Sequence, residues 1–224
     1  MPEKLQVEVA PDRRVSALFY PAAKPHPSKL TLILAHGAGA GQTSDFMTGF
    51  ATALAARGLT VVTFNFPYME ERRRAPDAPQ KLEACFEAVL TAVRKQKSGP
   101  LIIGGKSMGG RIASQIAASG AEAAGLILLG YPLHPPGKPE QMRAKHLSAV
   151  PCPMLFVQGA RDTFGTPEEL RPVLEKLKGR AELYVVDGGD HSFKVLKRAG
   201  IVQDDVYEAV FDRIELWIRE RLAA

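Results

Sequence analysis

The spacing of apolar residues along the chain predicts two kinds of strand. Apolar and polar residues alternate over Leu5–Val9 and Val15–Tyr20, on either side of Pro11-Asp12, which is typical of an antiparallel hairpin with one exposed face. Farther along, short runs that are apolar throughout predict the buried strands of a parallel sheet. In chain order these runs are Leu30–Ala35, Leu59–Phe64, Leu101–Ile103, Gly125–Leu129, Met154–Val157 and Leu183–Val186.

Helical spacing of apolar residues characterises the segments between and after these runs. In chain order the segments lie near Asp45–Arg57, Gln80–Lys95, Met108–Ser119, Pro139–Leu147, Pro167–Leu177 and Ile201–Leu222. Strands and helices that alternate in this way form β-α-β units, so we expect an α/β fold with a parallel sheet covered by helices on both faces. The functional side chains of such a fold gather at the carboxyl ends of the strands.

One strand-to-helix junction carries the sequence Gly105-Lys-Ser-Met-Gly109. A Gly-x-Ser-x-Gly motif in this position is typical of a nucleophile elbow, which holds a serine in a strained conformation with its hydroxyl outside the sheet. We expect the two glycines to lie where strand and helix approach so closely that a Cβ atom would clash, and Gly110 to extend that clearance. Ser107 is therefore the predicted nucleophile of an acyl-transfer or hydrolytic reaction.

A base and an acid for this serine follow later in the chain, each directly after a buried strand. His191 lies in a Gly-Gly-Asp-His sequence after the last strand, and Asp162 lies in a Gly-Ala-Arg-Asp sequence after the strand before it. A serine hydroxyl needs a base within hydrogen-bond reach, for which we predict His191, and an acid that fixes the imidazole tautomer, for which we predict Asp162. Asp190 and Asp187 are rival acids. Asp190 adjoins the histidine in sequence, and neighbouring side chains rarely face each other well enough for a contact at Nδ1. Asp187 ends the strand from which the histidine loop leaves. Asp162 comes from the preceding crossover and approaches from the side, so it is preferred.

Two backbone N–H groups are predicted to bind a developing oxyanion. Met108 begins the helix after Ser107, so its N–H lies at the positive end of the helix dipole. Ala38 lies in the loop His36-Gly-Ala-Gly-Ala-Gly41, where the glycines let the main chain turn an N–H inward. We predict Met108 and Ala38 as the oxyanion hole, in which each donor is typically worth ~3 kcal/mol. His36 is expected to brace the loop rather than to take part in the chemistry.

Nucleotide binding is the main alternative for these glycine-rich segments. Gly105-Lys-Ser107 resembles the end of a P-loop, but that motif needs a glycine at position 100, where the chain has Pro100. Gly37-Ala-Gly-Ala-Gly41 resembles a dinucleotide fingerprint, but the third glycine would be at position 42, where the chain has Gln42. Both motifs fail at one position and neither explains the acid and the histidine, so we expect no cofactor.

The composition is that of one ordinary globular domain, expected to span residues 1–224. The net charge of +5 is mild and no basic surface with interleaved aromatic residues is recognisable, so we expect no nucleic-acid partner. No apolar run approaches the ~20 residues that cross a bilayer, and a glutamate interrupts the first residues, so we expect a cytoplasmic protein without a membrane partner. Cys85 and Cys152 are expected to be free thiols, and no metal site of the Cys-x-x-Cys type is present.

Taken together, the motifs resemble those of the α/β-hydrolase superfamily, in which serine, acid and histidine follow one another in the order found here. More narrowly, the chain is similar to the small dienelactone-hydrolase-like group, which includes testis-expressed protein 30 and a subunit of the nonspecific-lethal histone-acetyltransferase complex. The segments that carry the resemblance are His36–Gly41, Phe64–Tyr68, Gly104–Gly110, Gly130–His134, Gln158–Asp162 with Phe164–Pro167, and Gly188–Ser192.

This resemblance implies an α/β-hydrolase fold with an eight-stranded, mostly parallel sheet and a catalytic triad of Ser107, Asp162 and His191. The implied substrate is a small carboxylic ester or thioester. Dienelactone hydrolases proper use a cysteine nucleophile, whereas this chain has Ser107. Because some members of the group serve as subunits of complexes, a catalytically silent interaction module is the alternative function. No oligomeric state is predicted.

The resemblance also locates the lid, which in this superfamily commonly follows the sixth strand. Here that segment runs from Tyr131 to Pro151 and is rich in proline, so it can hold one helix of about two to three turns and no larger cap. With a minimal lid we expect a shallow cleft rimmed by Tyr68, Tyr131 and Phe164, and a preference for short acyl groups.

Overall fold

The computed structural model describes residues 2–24, 29–97 and 99–222, without the side chain of Ala199. Its strands are β1 (Glu3–Ala10), β2 (Arg13–Tyr20), β3 (Thr31–Ala35), β4 (Thr60–Phe64), β5 (Leu101–Lys106), β6 (Gly125–Leu129), β7 (Met154–Gly159) and β8 (Ala181–Val186). Its helices are α1 (Asp45–Ala56), α2 (Pro67–Glu70), α3 (Pro79–Gln96), α4 (Met108–Ala118), α5 (Pro167–Glu175) and α6 (Gln203–Arg221). Every strand expected from the apolar pattern is present.

The eight strands form one sheet in the order β1-β2-β4-β3-β5-β6-β7-β8. β2 pairs antiparallel with both β1 and β4, and all the other pairs are parallel. The predicted hairpin and the predicted mostly parallel sheet are therefore confirmed. Because β3, β5, β7 and β8 run in the same direction, their carboxyl ends meet at one edge, and the loops that follow them lie together there.

Both faces of the sheet are buried under helices. Along β3, Ile33 and Ala35 belong to the core on one face, whereas Leu32 and Leu34 belong to the core on the other. α3, α4 and α5 pack on the first face, and α1 and α6 pack on the second. Fully burying an aliphatic side chain of this size is worth ~1.5–3 kcal/mol, so a strand covered on both sides needs an uninterrupted apolar run.

The segment between β6 and β7 differs from the prediction, because no α-helix forms over Pro139–Leu147; only a 3₁₀ turn occupies Lys145–Ala149. The backbone groups of Arg143 are engaged elsewhere. Its N–H donates to the Leu133 carbonyl at 2.7 Å, and its carbonyl accepts the Tyr131 hydroxyl at 2.7 Å. A residue held in this way cannot join an α-helical turn, so the segment is a strap against the core, and the lid is smaller than expected.

Two further observations concern the whole of the described chain. No helix within residues 2–24, 29–97 and 99–222 has the length and apolar character needed to cross a membrane. Cys85 and Cys152 are both buried and free, as predicted. Burial raises the pKa of the Cys85 thiol to about 12 and that of Cys152 to about 11, so neither is a reactive thiolate near neutral pH.

Candidate active site

Ser107 occupies the sharp turn between β5 and α4. Its backbone has φ 52° and ψ −116°, a left-handed conformation that is costly for a residue with a Cβ atom. The turn is fixed on both sides, because the Ser107 N–H donates to the Leu129 carbonyl at 2.9 Å and the Ser107 carbonyl accepts the Arg111 N–H at 3.1 Å. This is the strained strand-to-helix geometry predicted from the sequence.

The positions on either side of Ser107 require glycine, because the surrounding backbone leaves no room for a Cβ atom. A Cβ atom at Gly105 would lie 2.5 Å from the Ala35 carbonyl oxygen, and one at Gly109 would lie 2.6 Å from the His36 carbonyl oxygen. At Gly110 it would lie 2.7 Å from the Gly105 carbonyl oxygen. All three contacts are with backbone atoms, which cannot move aside as the end of a flexible side chain can. The predicted steric role of these glycines is confirmed, including that of Gly110.

The structure brings together the serine, the histidine and the acid expected from the sequence. His191 Nε2 lies 2.9 Å from Ser107 Oγ, and His191 Nδ1 lies 2.7 Å from Asp162 Oδ2. Asp162 is fully buried, while 22% of the His191 side chain is exposed. Because the carboxylate accepts at Nδ1, the imidazole carries its hydrogen there and leaves Nε2 free to accept the serine proton.

The buried Asp162 carboxylate has two further hydrogen-bond donors. Its Oδ1 accepts the Phe164 N–H at 2.9 Å, and its Oδ2 accepts the Gln158 side-chain amide at 2.8 Å. Gln158 is itself buried, and its amide oxygen accepts the Tyr131 N–H at 2.8 Å. These bonds offset the cost of burying a charge and fix the rotamer of the acid. No such role was predicted for Gln158, although a glutamine at the end of an apolar strand is a usable signal.

The rival acids are oriented differently. Asp190 Oδ1 accepts the N–H groups of Ser192 at 2.7 Å and Lys194 at 3.0 Å, so its side chain folds the histidine loop and does not contact the imidazole. Asp187 is exposed. The partner of His191 Nδ1 is thus Asp162, which approaches from the neighbouring strand β7.

The two predicted oxyanion donors have no competing acceptors. Within the described part of the chain, neither the Met108 N–H nor the Ala38 N–H donates to a protein oxygen or nitrogen. Met108 is the first residue of α4, and Ala38 is exposed in the cleft beside Ser107. Both groups therefore remain available for an oxyanion formed at the serine.

His36 braces the loop that carries Ala38, as expected. Its Nε2 accepts the Phe66 N–H at 3.1 Å, so Nδ1 carries the hydrogen and donates it to the Gly37 carbonyl at 2.8 Å. Burial lowers the pKa of His36 to about 4, which keeps the ring neutral and this pattern intact near neutral pH. The imidazole thereby joins the loop after β3 to the segment after β4.

Lys106 is a charged residue of the site for which the sequence analysis predicted no role. Its side chain is buried beneath the elbow, and its Nζ donates to the carbonyl oxygen of His191 at 2.6 Å. Burial lowers the pKa of Lys106 to about 8, against the opposing effect of the Asp162 and Asp190 carboxylates. Lys106 thus ties the residue before the serine to the backbone of the histidine.

The cleft over these atoms has a volume of about 290 Å³. Of the three aromatic residues expected on its rim, Phe164 lines it and stacks on the His191 ring, with 4.3 Å between ring centroids. Tyr68 and Tyr131 are fully buried instead. Tyr68 lies against His36, and Tyr131 packs on Phe156. Their placement on the rim is therefore corrected: the rings contribute to the core.

A buried carboxylate and an imidazole that are joined by hydrogen bonds to a serine can activate its hydroxyl for attack on a carbonyl carbon. Two free N–H groups beside that serine can bind the negative oxygen that forms. Among residues 2–24, 29–97 and 99–222, no three His, Cys, Asp or Glu side chains are grouped as ligands for a metal ion.

Comparisons with known proteins give a consistent result. A family model described as an alpha/beta hydrolase domain matches residues 28–219. XC6422 from Xanthomonas campestris, described as an α/β serine hydrolase without a lid, is similar in structure, with a TM-score of 0.77 and 23% identity over 100% of this chain and 96% of that one.

Two further solved structures are similar over almost their whole length. Est1E from Butyrivibrio proteoclasticus has a TM-score of 0.77 at 15% identity and covers 99% of both chains. A dienelactone hydrolase from Anabaena variabilis has a TM-score of 0.75 at 18% identity and covers 99% of this chain and 98% of that one. At these identities the likeness concerns the fold.

Proposed function

This chain belongs to the alpha/beta hydrolase domain family, and from that premise we propose that it is a serine hydrolase that cleaves a small carboxylic ester or thioester. Ser107 is the nucleophile, His191 the general base and acid, and Asp162 the residue that orients and stabilises the imidazole. The N–H groups of Ala38 and Met108 form the oxyanion hole. A triad of this kind and its oxyanion hole act together, because activation of the serine and stabilisation of the charge occur in the same transition state.

The reaction proceeds through an acyl-enzyme. Ser107 Oγ attacks the carbonyl carbon while its proton passes to His191 Nε2, and the carbonyl oxygen becomes an oxyanion held by the two N–H groups. When the tetrahedral intermediate collapses, the bond to the leaving alcohol or thiol breaks and His191 returns the proton to the leaving atom. A water molecule then attacks the acyl-enzyme with His191 again as the base, which releases the carboxylic acid and the free serine.

The observation that carries the proposal is the unbroken hydrogen-bond path from Asp162 through His191 to Ser107, with contacts of 2.7 and 2.9 Å. It ends on a serine with φ 52°, beside two N–H groups that donate to no protein atom in the described chain. A module that served only for interaction would gain nothing from a buried carboxylate and a strained serine, both of which cost stability.

Two comparisons bear on the substrate class. Similar folds occur in Est1E, whose structure was also determined with ferulic acid, and in an esterase domain from Rhodothermus marinus. The cleft above Ser107 is small, about 290 Å³. These two comparisons favour an ester bond and the small cleft favours a short acyl group, and the nucleophile is an oxygen rather than the sulfur of dienelactone hydrolases proper. The narrower likeness to the group of testis-expressed protein 30 stays a prediction.

The decisive experiment is labelling with a fluorophosphonate at neutral pH. The wild-type protein should be labelled at Ser107 alone, as read by peptide mass spectrometry, because only an activated serine attacks this probe. Ser107→Ala should show no labelling and should lose turnover of 4-nitrophenyl acetate and of its thioester analogue, with an unchanged melting temperature. A folded wild-type protein that is neither labelled nor active would favour the interaction module.

A further inference from the structure

The cavity above the serine has a larger neighbour. A second cavity of about 470 Å³ lies between α1 and α6. Its apolar wall is aromatic: Phe46 and Phe50 stack with 4.2 Å between centroids, and Phe211 meets Phe50 edge-on at 4.8 Å. Tyr207 completes the wall. None of these rings takes part in the hydrolytic steps, so the cavity has no role in the proposed chemistry as it stands. We refer to it as the aromatic cavity.

The aromatic cavity adjoins the cleft above Ser107. Phe46 and Ser192 line both spaces, so that the boundary between them is one phenyl ring and one small side chain. Ser192 follows His191 directly, and its carbonyl accepts the Tyr207 hydroxyl at 3.3 Å. The cavity therefore lies beside the loop that carries the histidine, and this hydrogen bond joins that loop to α6.

The position beside His191 decides which part of a substrate would enter. In the second half of acylation His191 Nε2 donates a proton to the leaving atom, so the leaving group must lie on the histidine side of the scissile bond. A cavity next to Ser192 is within reach of the alcohol or thiol part. The acyl part stays in the smaller cleft.

Charges at the mouth of the aromatic cavity restrict the leaving group further. Three carboxylates, those of Asp45, Asp204 and Glu208, border it together with one ammonium group, that of Lys194. Glu208 also pairs with Arg57, which does not line the cavity. An anionic ligand would meet more negative than positive charge there, whereas a neutral or cationic one would not.

We propose that the aromatic cavity is the leaving-group subsite of this hydrolase, and that it takes an aromatic alcohol or thiol that carries no negative charge. The inference rests on the proposed function, since it needs an acyl transfer at Ser107. A flat ring buried against several aromatic side chains gains apolar contact and favourable edge-to-face geometry. The specificity of the enzyme then lies in the leaving group rather than in the acyl group.

The test compares acetate esters that differ only in the alcohol: ethyl, benzyl, 4-(aminomethyl)benzyl and 4-carboxybenzyl acetate. Each kcat/KM is divided by the rate of hydroxide-catalysed hydrolysis of the same ester, which removes differences in intrinsic reactivity. We expect benzyl acetate to exceed ethyl acetate at least tenfold and the aminomethyl ester to match or exceed benzyl acetate. The carboxybenzyl ester should fall at least tenfold below benzyl acetate.

A pair of variants on α1 ties this preference to the aromatic cavity. Gly49 lines it, and a Cβ atom built there meets no heavy atom within 4 Å, so Gly49→Leu adds a side chain at the cavity without a backbone clash. We expect the benzyl-to-ethyl ratio to fall at least fivefold in this variant. Thr52→Leu is the matched control, because Thr52 is exposed on the same helix and borders a different depression beside Tyr20. Its ratio should equal that of the wild type.

The outcomes separate this inference from the proposed function. If no ester is hydrolysed and fluorophosphonate does not label Ser107, the proposed function itself fails. If the wild type is labelled and hydrolyses ethyl acetate, but the benzyl ratio lies within twofold of unity, the subsite is refuted and the hydrolase stands. A carboxybenzyl ester that is hydrolysed as fast as benzyl acetate, or a ratio unchanged in Gly49→Leu, also overturns the subsite.

Discussion

The elbow around Ser107 and the aromatic cavity beside it use glycine in opposite ways. At Gly105 and Gly109 a Cβ atom would lie 2.4–2.8 Å from backbone atoms, whereas at Gly49 nothing lies within 4 Å. The first region is packed so tightly that the reacting atoms have one arrangement. The second is open, so its walls can change without disturbing that arrangement. Catalysis should therefore tolerate almost no change at the elbow, and specificity should be adjustable at the cavity.

The largest effect is expected within the packed region, from Asp162→Asn. An amide at position 162 can donate to His191 Nδ1, which would move the ring hydrogen to Nε2 and leave no acceptor for the serine proton. We expect kcat to fall about 10⁴-fold. Steady-state hydrolysis of 4-nitrophenyl acetate measures this loss, with circular dichroism to confirm that the variant is folded.

Asp190→Asn is the matched control, because an amide oxygen can still accept the N–H groups of Ser192 and Lys194. This variant should lose no more than about tenfold in kcat, since it keeps the loop fold and changes no group that touches the serine. If Asp190→Asn proved the more damaged of the two, the assignment of Asp162 would be wrong.

The next effect concerns stability and contrasts the two regions directly. Gly109→Ala forces a methyl group against the carbonyl groups of Ala35 and His36 and should lower the free energy of unfolding by at least about 2 kcal/mol. Gly49→Ala meets no neighbour on α1 and should raise it by about 0.5–1 kcal/mol, because alanine loses less backbone entropy than glycine in a helix.

Urea denaturation of both variants at one pH measures these free energies. Opposite signs would confirm that the same substitution has opposite consequences in the packed and open regions. Equal destabilisation would show that Gly49 has a packing role that the structure does not reveal.

The elements that could be predicted from the sequence are those whose pattern follows from burial alone. A central strand covered on both faces must be apolar throughout, so β3 and β6 stand out in the sequence to within one residue. The elbow could be predicted for a related reason: its glycines are required by local sterics. Asp162 and His191 could then be recognised because each follows the carboxyl end of a strand.

What could not be predicted depends on contacts between distant parts of the chain. The helix expected over Pro139–Leu147 is absent because Arg143 bonds to Leu133 and Tyr131, which no local pattern reveals. Tyr131 was expected on the rim because the lid was expected to be minimal, but its ring packs on Phe156 and its hydroxyl donates to the Arg143 carbonyl. The role of Lys106 could not be predicted, since nothing in the neighbouring sequence indicates a bond to the carbonyl of His191.

A smaller effect is expected from Lys106→Met, which removes that bond from the packed region. The His191 backbone loses its tie to the residue before the serine, so we expect kcat to fall about three- to tenfold with KM unchanged. Lys106 is a positioning residue, as it touches no reacting atom. A change confined to KM would contradict this role.

The pH dependence of stability gives Lys106 a second, independent test. Its pKa in the folded protein is lowered from 10.5 to about 8, so the folded state disfavours the charged form. Between pH 8 and 10.5 the unfolded chain binds more protons at this group, and the wild type therefore gains stability relative to Lys106→Met as pH rises through that window. Urea unfolding at pH 7, 9 and 10 measures the difference; a gap that is constant over this range would refute the argument.

The smallest effect is expected when the acyl chain of the ester is lengthened. This comparison tests whether the cleft that takes the acyl group is as open as the aromatic cavity. The segment from Tyr131 to Pro151 supplies no α-helix to cover the cleft, because it holds only the 3₁₀ turn at Lys145–Ala149 and is tied to the core through Arg143. A groove that buried the chain would raise kcat/KM about fourfold for each added CH₂, since burial of one such group is worth ~0.8 kcal/mol. Without such a groove, kcat/KM for 4-nitrophenyl esters should stay level from acetate to butyrate and decline for longer chains. The same assays above and below the critical micelle concentration should show no jump in rate, because the Tyr131–Pro151 segment is tied to the core and holds no α-helix that could open at an interface. A steady rise toward palmitate would mean that acyl specificity also lies in an open surface, and the contrast between the fixed acyl side and the adjustable leaving-group side would then be lost.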